Sequence, residues 1–487
     1  MPIRRSSTDM LALFGLTAGA LAVHGYHPAV EDAEIYLPGV LKQLQPSLFP
    51  YNSEFFTSHA GLTLFPRVMA ASIRLTHLPV GAAMLVWHIV SILLTLWACY
   101  RIARVCFEDS PAIWCGVALV AALLTIPVAG TSLYLLDQYV TARSLSTPFS
   151  LLAIASAVEG RLGRSTAWIA AMALVHPLMV VFTAAYLLIL LLLTRDDAPV
   201  GHASTLAAFL PLWLFEPATP AYRKILETRP LHLITNWTWY EWTGVFAPLL
   251  LLVWLGSLGK RHRLGPMSRM CRSLVTFELV FCAIALVIST PGRLEQLSEL
   301  QPMRSLHLVY TLMFLFGGGW LGKSLLQNQA WRWTLLFAPL CFGMWFAQRE
   351  LFPASPHLEL PWIASSNSWV RTFDWIRANT PTDAYFALNP THMALPGEDQ
   401  HGFRAVAERS MLADAVKDSG AASMFPALAD RWVAQTDAQS GWNRFDRSAL
   451  MQLKNRFGVN WVVLEQPGVS GLACPYRNER LLVCRIE

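Results

Sequence analysis

The sequence predicts an all-α polytopic membrane bundle followed by a small α/β soluble domain, and three observations support this fold class. The 487 residues are 54% hydrophobic and only 14% charged, whereas an ordinary soluble domain is roughly 25% charged. Before about residue 350 the apolar residues form long runs, such as PVGAAMLVWHIVSILLTLWACY, which are typical of membrane-spanning helices. After that point charged residues recur every few positions, which indicates a soluble domain.

The apolar runs predict about eleven transmembrane helices, and the first is read as an uncleaved span rather than as a signal peptide. Their approximate bounds are 10–26, 79–101, 111–130, 143–159, 165–176, 177–194, 202–216, 244–259, 272–290, 304–322 and 331–350. The sequence therefore divides into a membrane domain over 1–350, a proline-rich linker over 351–366 and a soluble domain over 367–487.

Short basic loops predict the orientation, because Lys and Arg accumulate in cytoplasmic loops. The basic loops include KRHRLGPMSRMCR at 260–272. A single helix through His176-Pro177 would move that loop to the outer side, so two short helices that meet at His176 are preferred. The prediction is an inner-membrane protein with a cytoplasmic N-terminus and a periplasmic or extracellular C-terminal domain. The basic excess belongs to these loops and predicts no nucleic-acid partner.

The long first outer loop, residues 27–78, begins with a cluster of carboxylates. Glu31, Asp32 and Glu34 follow the first span directly, and leucines at helical spacing predict interfacial helices further along the loop. An inverting sugar transfer needs a base near the acceptor hydroxyl or a metal that activates it, and a carboxylate can provide either. The alternative is that these acidic side chains are simply solvated at a helix exit.

An acidic pair outside the first span, followed by a loop with interfacial helices, resembles the GT-C superfamily of integral-membrane glycosyltransferases. This resemblance implies a sugar donor linked to a polyprenyl phosphate, used at the outer face. It also implies that a first-loop carboxylate acts as base or metal ligand, at Asp32 or Glu31 with Glu34 as a neighbour. The cation implied at Asp32 and Glu31 is Mg or Mn, since divalent cations of this kind prefer oxygen ligands.

Two further segments supply candidates for binding the carrier phosphate. Asp137 and Arg143 lie at the outer start of the fourth span, and His176 stands between two apolar runs. The run ARSLSTPFSLLAIA, with the later HPLM, is similar to bacterial GT-C-like membrane proteins, which favours Arg143 and His176. In the GT-C superfamily a late outer loop helps to hold the carrier phosphate, which suggests Arg293 and Arg304. The alternatives are that Asp137 and Arg143 only anchor their helix and that His176 is a structural residue. For Arg293 and Arg304 the alternative is a salt-bridge network at a helix end.

The soluble domain has a helical pattern at 368–379, β-prone runs in DAYFALNP and FGVNWVVLE, and a helix between them. The run WIRANTPTDAYF, with the later FRAVAERS, is similar to the outer domains of GT-C-like proteins, so Arg404 and Arg409 are further candidates. A surface ion-pair row is the alternative. If residues 478–480 turn the chain, Cys474 and Cys484 face each other, which permits a disulfide or leaves two free thiols.

The leading functional prediction is a glycosyltransferase that uses a polyprenyl-phosphate-linked sugar, with membrane lipid around it and a glycan, lipid or protein as acceptor. A transporter or flippase for a lipid-linked saccharide is the second hypothesis. It would need repeats and charged residues at mid-membrane depth, and no convincing repeat is visible. A non-catalytic GT-C-like protein is the third.

Overall fold

The computed structural model describes residues 7–193, 218–289 and 294–487. Two of the sequence predictions, the span at 202–216 and the phosphate ligand Arg293, lie outside these residues. The described part before the soluble domain is helical, and its helices are α1 Ser7–His24, α2 Ala33–Leu44, α3 Glu54–Gly61, α4 Phe65–Thr76, α5 Val80–Cys106, α6 Ser110–Ala122, α7 Ala142–Val158, α8 Leu162–Val175, α9 Pro177–Leu192, α10 Pro220–Glu227, α11 Trp239–Arg261, α12 Gly265–Ile288, α13 Leu306–Leu321 and α14 Ala330–Leu351.

Within the described ranges, five helical segments are long and apolar enough to cross a membrane: Ser7–His24, Val80–Cys106, Trp239–Arg261, Gly265–Ile288 and Gln296–Leu326. Three shorter apolar helices accompany them, at Ser110–Ala122, Leu162–Val175 and Pro177–Leu192. A helix rises about 1.5 Å per residue, so these shorter helices do not span a hydrocarbon core of about 30 Å. The chain is thus a membrane-embedded helical protein, but the prediction of about eleven spans is not supported.

The break at His176-Pro177 is present, as the distribution of basic loops predicted. α8 ends at Val175 and α9 begins at Pro177, while His176 between them has non-helical angles of φ −152° and ψ 84°. The hydroxyl of Thr183 on α9 lies 3.7 Å from the sulfur of Met172 on α8. Residues eleven apart would be about 16 Å apart along one straight helix, so the chain turns back at His176.

Close helix packing in the bundle depends on small residues between α6 and α13. A Cβ on Gly318 would meet the carbonyl oxygen of Cys115 at 2.8 Å, and a Cβ on Gly116 would meet that of Leu315 at 2.5 Å. Small residues at such contacts allow two backbones to approach closely, which is how membrane helices gain packing energy. Around this contact a large cluster of buried apolar residues joins α1, α5, α6, α7, α9, α12 and α13.

The C-terminal domain contains one mixed five-stranded sheet. In chain order its strands are β1 Tyr385–Ala387, β2 Ser410–Met411, β3 Trp461–Glu465, β4 Ala473–Arg477 and β5 Leu481–Arg485, and their spatial order is β2-β1-β3-β5-β4. β1 runs parallel to β2 and β3, whereas β5 runs antiparallel to β3 and β4. Cys474 and Cys484, on the hairpin of β4 and β5, are joined by a disulfide.

Helices cover both faces of this sheet, as expected for an α/β domain. On one face Trp369, Phe373 and Ile376 of α15 (Ser368–Asn379) pack against the sheet. On the other face Leu450 and Leu453 of α19 (Arg447–Phe457) do the same. The remaining helices of the domain are α16 Phe403–Ala407, α17 Asp418–Met424 and α18 Ala429–Ala438.

The C-terminal domain is docked directly on the first loop, and this docking positions the site described next. Val30 pairs with His401 in an antiparallel bridge, and the backbone N–H of Gly402 donates to the carbonyl of Ala29 at 2.8 Å. The linker is held as well, because Leu358 forms a parallel bridge with Tyr26. Residues far apart in the sequence therefore meet at the end of α1.

Candidate functional site

Asp32 occupies the point where the chain leaves the bundle and begins α2. Its backbone N–H donates to the hydroxyl of Tyr139 at 3.3 Å. Its carboxylate forms no capping hydrogen bond to α2, so it faces the surrounding side chains instead. The side chain is 32% exposed. This carboxylate is thus fixed by its neighbours yet reachable from solvent, and we call its surroundings the Asp32 niche, formed by Asp32, Glu31, Lys417, Arg143 and Arg304.

Lys417 is the first cation of the Asp32 niche and comes from the C-terminal domain. Its ammonium lies 3.1 Å from Oδ1 of Asp32 and also contacts the carboxylate of Glu31. The loop before α17 is held by Asp414, whose Oδ1 accepts the backbone N–H groups of Val416 at 2.7 Å and Lys417 at 2.5 Å. This local turn holds the lysine beside Asp32 and Glu31.

Arg143 is the second cation and comes from the first turn of α7. Thr141 and Ser144 form a capping box that fixes this helix start. The Arg143 guanidinium donates to Oδ2 of Asp137 at 2.7 Å and lies 3.6 Å from Oδ2 of Asp32. Its buried Nε has no hydrogen-bond partner among the described residues. One donor of this guanidinium is therefore unsatisfied, which costs free energy unless a further group pairs with it.

Arg304, immediately before α13, is the third cation and has the fewest partners. It interacts electrostatically with Asp32 and Arg143, and its buried Nε has no hydrogen-bond partner within the described part of the chain. Among the side chains that the structure describes, no carboxylate lies within 4.0 Å of this guanidinium. A half-buried cation without a close counter-ion is a natural place for a bound anion.

Two histidines border the niche without adding charge to it. Nε2 of His59 is 2.9 Å from the hydroxyl of Tyr36, and burial lowers the pKa of His59 to about 4, so this ring is neutral at physiological pH. His176, at the turn between α8 and α9, is buried and interacts electrostatically with Arg304, Arg143 and His59. The structure thus brings His176 within electrostatic range of Arg143 and Arg304, and their binding of a carrier phosphate stays a prediction.

The cations determine the charge state of Asp32. Burial favours a higher pKa for its carboxyl group, but Lys417 and Arg143 outweigh burial and bring the pKa below its usual range. Lys417 shows the reciprocal effect: burial lowers its pKa, yet Asp32 and Glu31 raise it overall. Asp32 and Lys417 are therefore both ionised at neutral pH.

A divalent cation at Glu31 and Asp32 does not fit this arrangement well. Both carboxylates already contact the ammonium of Lys417, and Arg143 lies beside Asp32. In the described part of the chain, no group of three or more His, Cys, Asp or Glu side chains has the geometry to hold a metal ion. The metal role of these two residues stays a prediction, and no chemical step is assigned to a metal here.

Glu34 and Arg404 form a buried structural contact, which differs from the catalytic and phosphate-binding roles that the sequence suggested. The Glu34 carboxylate accepts the backbone N–H groups of Arg404 and Ala405 at 3.0 and 2.9 Å. The Arg404 guanidinium donates to both oxygens of Asp418 at 3.0 and 2.7 Å and lies 3.4 Å from Glu34. Glu34 and Arg404 are 0% and 1% exposed, so neither can meet a substrate.

Arg409 is also engaged within the protein rather than available to a phosphate. Its guanidinium donates to the carbonyls of Arg377 and Thr380, both at 2.7 Å, and to the hydroxyl of Thr380 at 3.1 Å. These acceptors lie at the C-terminal end of α15, where carbonyls lack helical partners. Arg409 thus caps a helix of the C-terminal domain.

Sequence reasoning did not identify Lys417, the closest cation to Asp32. The residue lies in the unremarkable run DAVKDSG, and 385 positions separate it from its partner. The one local signal is the spacing of Asp414, Lys417 and Asp418, which marks a turn stabilised by a carboxylate.

The fold and the niche define a class: a helical membrane-embedded protein with an α/β domain docked over a charged site at the end of its first helix. Comparison with models of known families finds no match, and comparison with curated proteins finds none either.

Proposed function

We propose that this protein is a membrane glycosyltransferase that takes a sugar from a polyprenyl-phosphate carrier, with Asp32 as the catalytic base. One observation carries the proposal: a solvent-reachable carboxylate at the exit of the first helix is surrounded by cations from three distant segments. The GT-C resemblance of the first loop points in the same direction.

The cations can stabilise the negative charge of the phosphate leaving group. Arg143, Arg304 and Lys417 have the charge to hold a phosphate, and the planar guanidinium can bind two of its oxygens at once. A developing negative charge is stabilised most where the donors are already in place. The Nε atoms of Arg143 and Arg304, for which the described residues supply no hydrogen-bond partner, are donors of this kind.

The proposed step is a displacement at the anomeric carbon. The hydroxyl oxygen of the acceptor forms a bond to the anomeric carbon. At the same time the bond between the anomeric carbon and the phosphate oxygen breaks, and the phosphate leaves with the electron pair. The hydroxyl proton passes to the carboxylate of Asp32. Atoms and charge are balanced, and no additional reactant is needed.

The low pKa of Asp32 in the free protein is compatible with a catalytic base if binding of the polyprenyl-phosphate sugar raises that pKa. A carboxylate paired with Lys417 and Arg143 is a weak base. When a phosphate shares these cations, their attraction for Asp32 falls and its basicity rises. Substrate binding would thereby activate the base only when the donor is present.

The test uses purified full-length protein in lipid vesicles with a radiolabelled sugar on polyprenyl phosphate. Asp32→Asn should abolish sugar transfer and leave binding of the carrier detectable, because the amide cannot accept the proton. Glu31→Gln should reduce transfer more mildly, because it changes the Lys417 contact only. Asp437→Asn, at an exposed carboxylate of the C-terminal domain that pairs with Lys224, is the matched control and should behave as the parent.

Full transfer by Asp32→Asn, Glu31→Gln and the double variant would remove this loop from the catalytic role. Movement of the intact lipid-linked sugar across the vesicle membrane, without any transfer, would instead support the transporter hypothesis.

A further inference from the structure

A second charged cavity lies at the opposite end of the bundle from the Asp32 niche. It forms where α1 begins, where α5 ends and where α7 passes into α8. Its volume is about 760 Å³, which is within the range of small-molecule sites. Its lining residues are Asp9, Met10, Leu13, Trp97, Tyr100, Arg101, Arg104, Val105, Glu159, Arg161, Arg164, Ala167 and Trp168.

Four arginines and two carboxylates line this cavity and give it a net charge of +2. Two of the arginines are committed to Glu159: Arg101 donates to both of its oxygens at 2.9 and 2.7 Å, and Arg161 lies 3.1 Å from one of them. Asp9 accepts the hydroxyl of Tyr100 at 2.8 Å. Both carboxylates of the cavity thus already have hydrogen-bond partners, and Glu159 holds Arg101 and Arg161 in place.

Arg104 and Arg164 provide the positive charge that remains. Both side chains are exposed, and among the described side chains no carboxylate lies within 4.0 Å of either guanidinium. They come from different helices, α5 and α8, yet they line the same cavity. Arg104 lies over the ring of Tyr100, 5.7 Å from its centroid, which leaves its N–H groups able to bind an anion. Two guanidinium groups that line one cavity can bind one phosphate together.

The remaining wall of the cavity is apolar and follows the membrane helices. Met10 and Leu13 belong to α1, Trp97 to α5 and Trp168 to α8. α1 and α5 are both long and apolar enough to cross a membrane. A basic rim at helix ends above an apolar wall matches a molecule with an anionic head and hydrocarbon tails, whereas a soluble anion would use only the rim.

We infer that this cavity binds the headgroup of an anionic membrane phospholipid, with Arg104 and Arg164 on the phosphate and the acyl chains against Trp97, Trp168 and Met10. Basic pockets between membrane helices bind such lipids elsewhere. An accumulation of arginines at helix ends also follows from membrane topology. Their convergence on one apolar-walled cavity, with the carboxylates already paired, is the feature that topology does not explain.

The test is native mass spectrometry of the delipidated full-length protein, titrated with phosphatidylglycerol or with phosphatidylcholine of the same acyl chains. The parent should retain phosphatidylglycerol in clear preference. Arg104→Gln/Arg164→Gln should weaken that binding by roughly fivefold for each arginine removed, the usual effect of a basic residue beside an anionic lipid. Since both side chains are exposed, the unfolding temperature in detergent without lipid should not change.

Arg332→Gln is the matched control, because this arginine lies at the same end of the bundle over the ring of Trp331 and outside the cavity. It should bind phosphatidylglycerol as the parent does. The inference is overturned if the double variant keeps the parent's affinity, if phosphatidylcholine binds equally well, or if Arg332→Gln loses as much. It is also overturned if inorganic phosphate at millimolar concentration displaces the lipid, since the cavity would then be a site for a soluble anion.

Discussion

At the scale of single residues, the Asp32 niche depends on a balance of charge. Asp32 has one close cation from the C-terminal domain, Lys417 at 3.1 Å, and one from the bundle, Arg143 at 3.6 Å. The attraction between these groups is strengthened because the two cations are largely removed from water, with side chains 5% and 10% exposed. Changing either cation therefore alters the basicity of Asp32 as well as the affinity for an anion.

Lys417→Met should change the pH dependence of the proposed sugar transfer in a defined direction. Lys417 lowers the pKa of Asp32, so its removal raises that pKa and moves the acidic limb of the activity profile to higher pH. Loss of one preorganised charge should also reduce kcat by roughly a hundredfold. Measurement of kcat against pH tests both effects.

Lys224→Gln is the control for Lys417, because this lysine is 47% exposed and pairs with Asp437 at the surface of the C-terminal domain. It should keep the parent profile. A Lys417→Met enzyme with reduced kcat but an unshifted acidic limb would show that Lys417 does not control the ionisation of Asp32.

At the scale of elements, a buried clamp aligns α2 with the start of α17. Glu34 on α2 binds the start of α16 and Arg404, and Arg404 binds Asp418 next to Lys417. Glu34 is two residues after Asp32, and Asp418 is one residue after Lys417. The clamp therefore sets the distance between Asp32 and Lys417, so Glu34 and Arg404 are positioning residues.

Arg404→Met should destabilise the docked domain by about 3–5 kcal/mol, since removal of one partner leaves buried charges without compensation. Chemical unfolding monitored by proteolysis of the C-terminal domain would measure the loss. Arg371→Gln, in the exposed pair with Glu479, should cost only about 0–1 kcal/mol. Equal losses in the two variants would contradict the clamp.

A second contact between elements predicts how docking depends on pH. Glu359 of the linker lies 2.9 Å from His401 and 2.6 Å from His27. Burial lowers the pKa of His401, but Glu359 outweighs it and raises that pKa above its usual value. The stabilisation is then fully present below the ordinary histidine pKa of about 6.5 and is lost as pH rises through the raised value.

Hydrogen exchange at residues 400–402 should accordingly be slower at pH 6 than at pH 8, after correction for the intrinsic rate. His401→Gln should remove this difference, whereas His77→Gln, at an exposed histidine, should keep it. A pH dependence that persists in His401→Gln would assign the effect to another group.

At the scale of the whole molecule, the first loop and the C-terminal domain contact each other and must therefore lie on the same side of the membrane. Cysteines introduced at Ser47 and Ser470, both exposed, should react with a membrane-impermeant reagent added from one side. A cysteine at Gly163, near the arginine-lined cavity, should react only from the other side.

The parent protein is the control for labelling, because its free cysteines within the described residues are buried or half-buried. Labelling of residues 47 and 470 from opposite sides would separate Asp32 from Lys417 and remove the basis of the proposed enzyme.

The sequence by itself determined the features that depend on neighbouring residues. Apolar runs identified a membrane protein, Pro177 marked the break between α8 and α9, and β-prone runs located β1 and β3. The adjacency of Cys474 and Cys484 followed from one short turn. These features are local because hydrophobic length, proline geometry and strand propensity act over a few residues.

Only the tertiary structure decided which charged residues meet. Asp32 and Lys417 are 385 residues apart, and Glu34 and Arg404 are 370 apart, so nothing near either residue indicates its partner. An arginine has the same local sequence signal whether it is buried against a carboxylate, as Arg404 is, or has no carboxylate within 4.0 Å among the described side chains, as Arg304 does. Burial and pairing are properties of the packed fold, and they separate the residues that hold the site together from those able to bind a substrate.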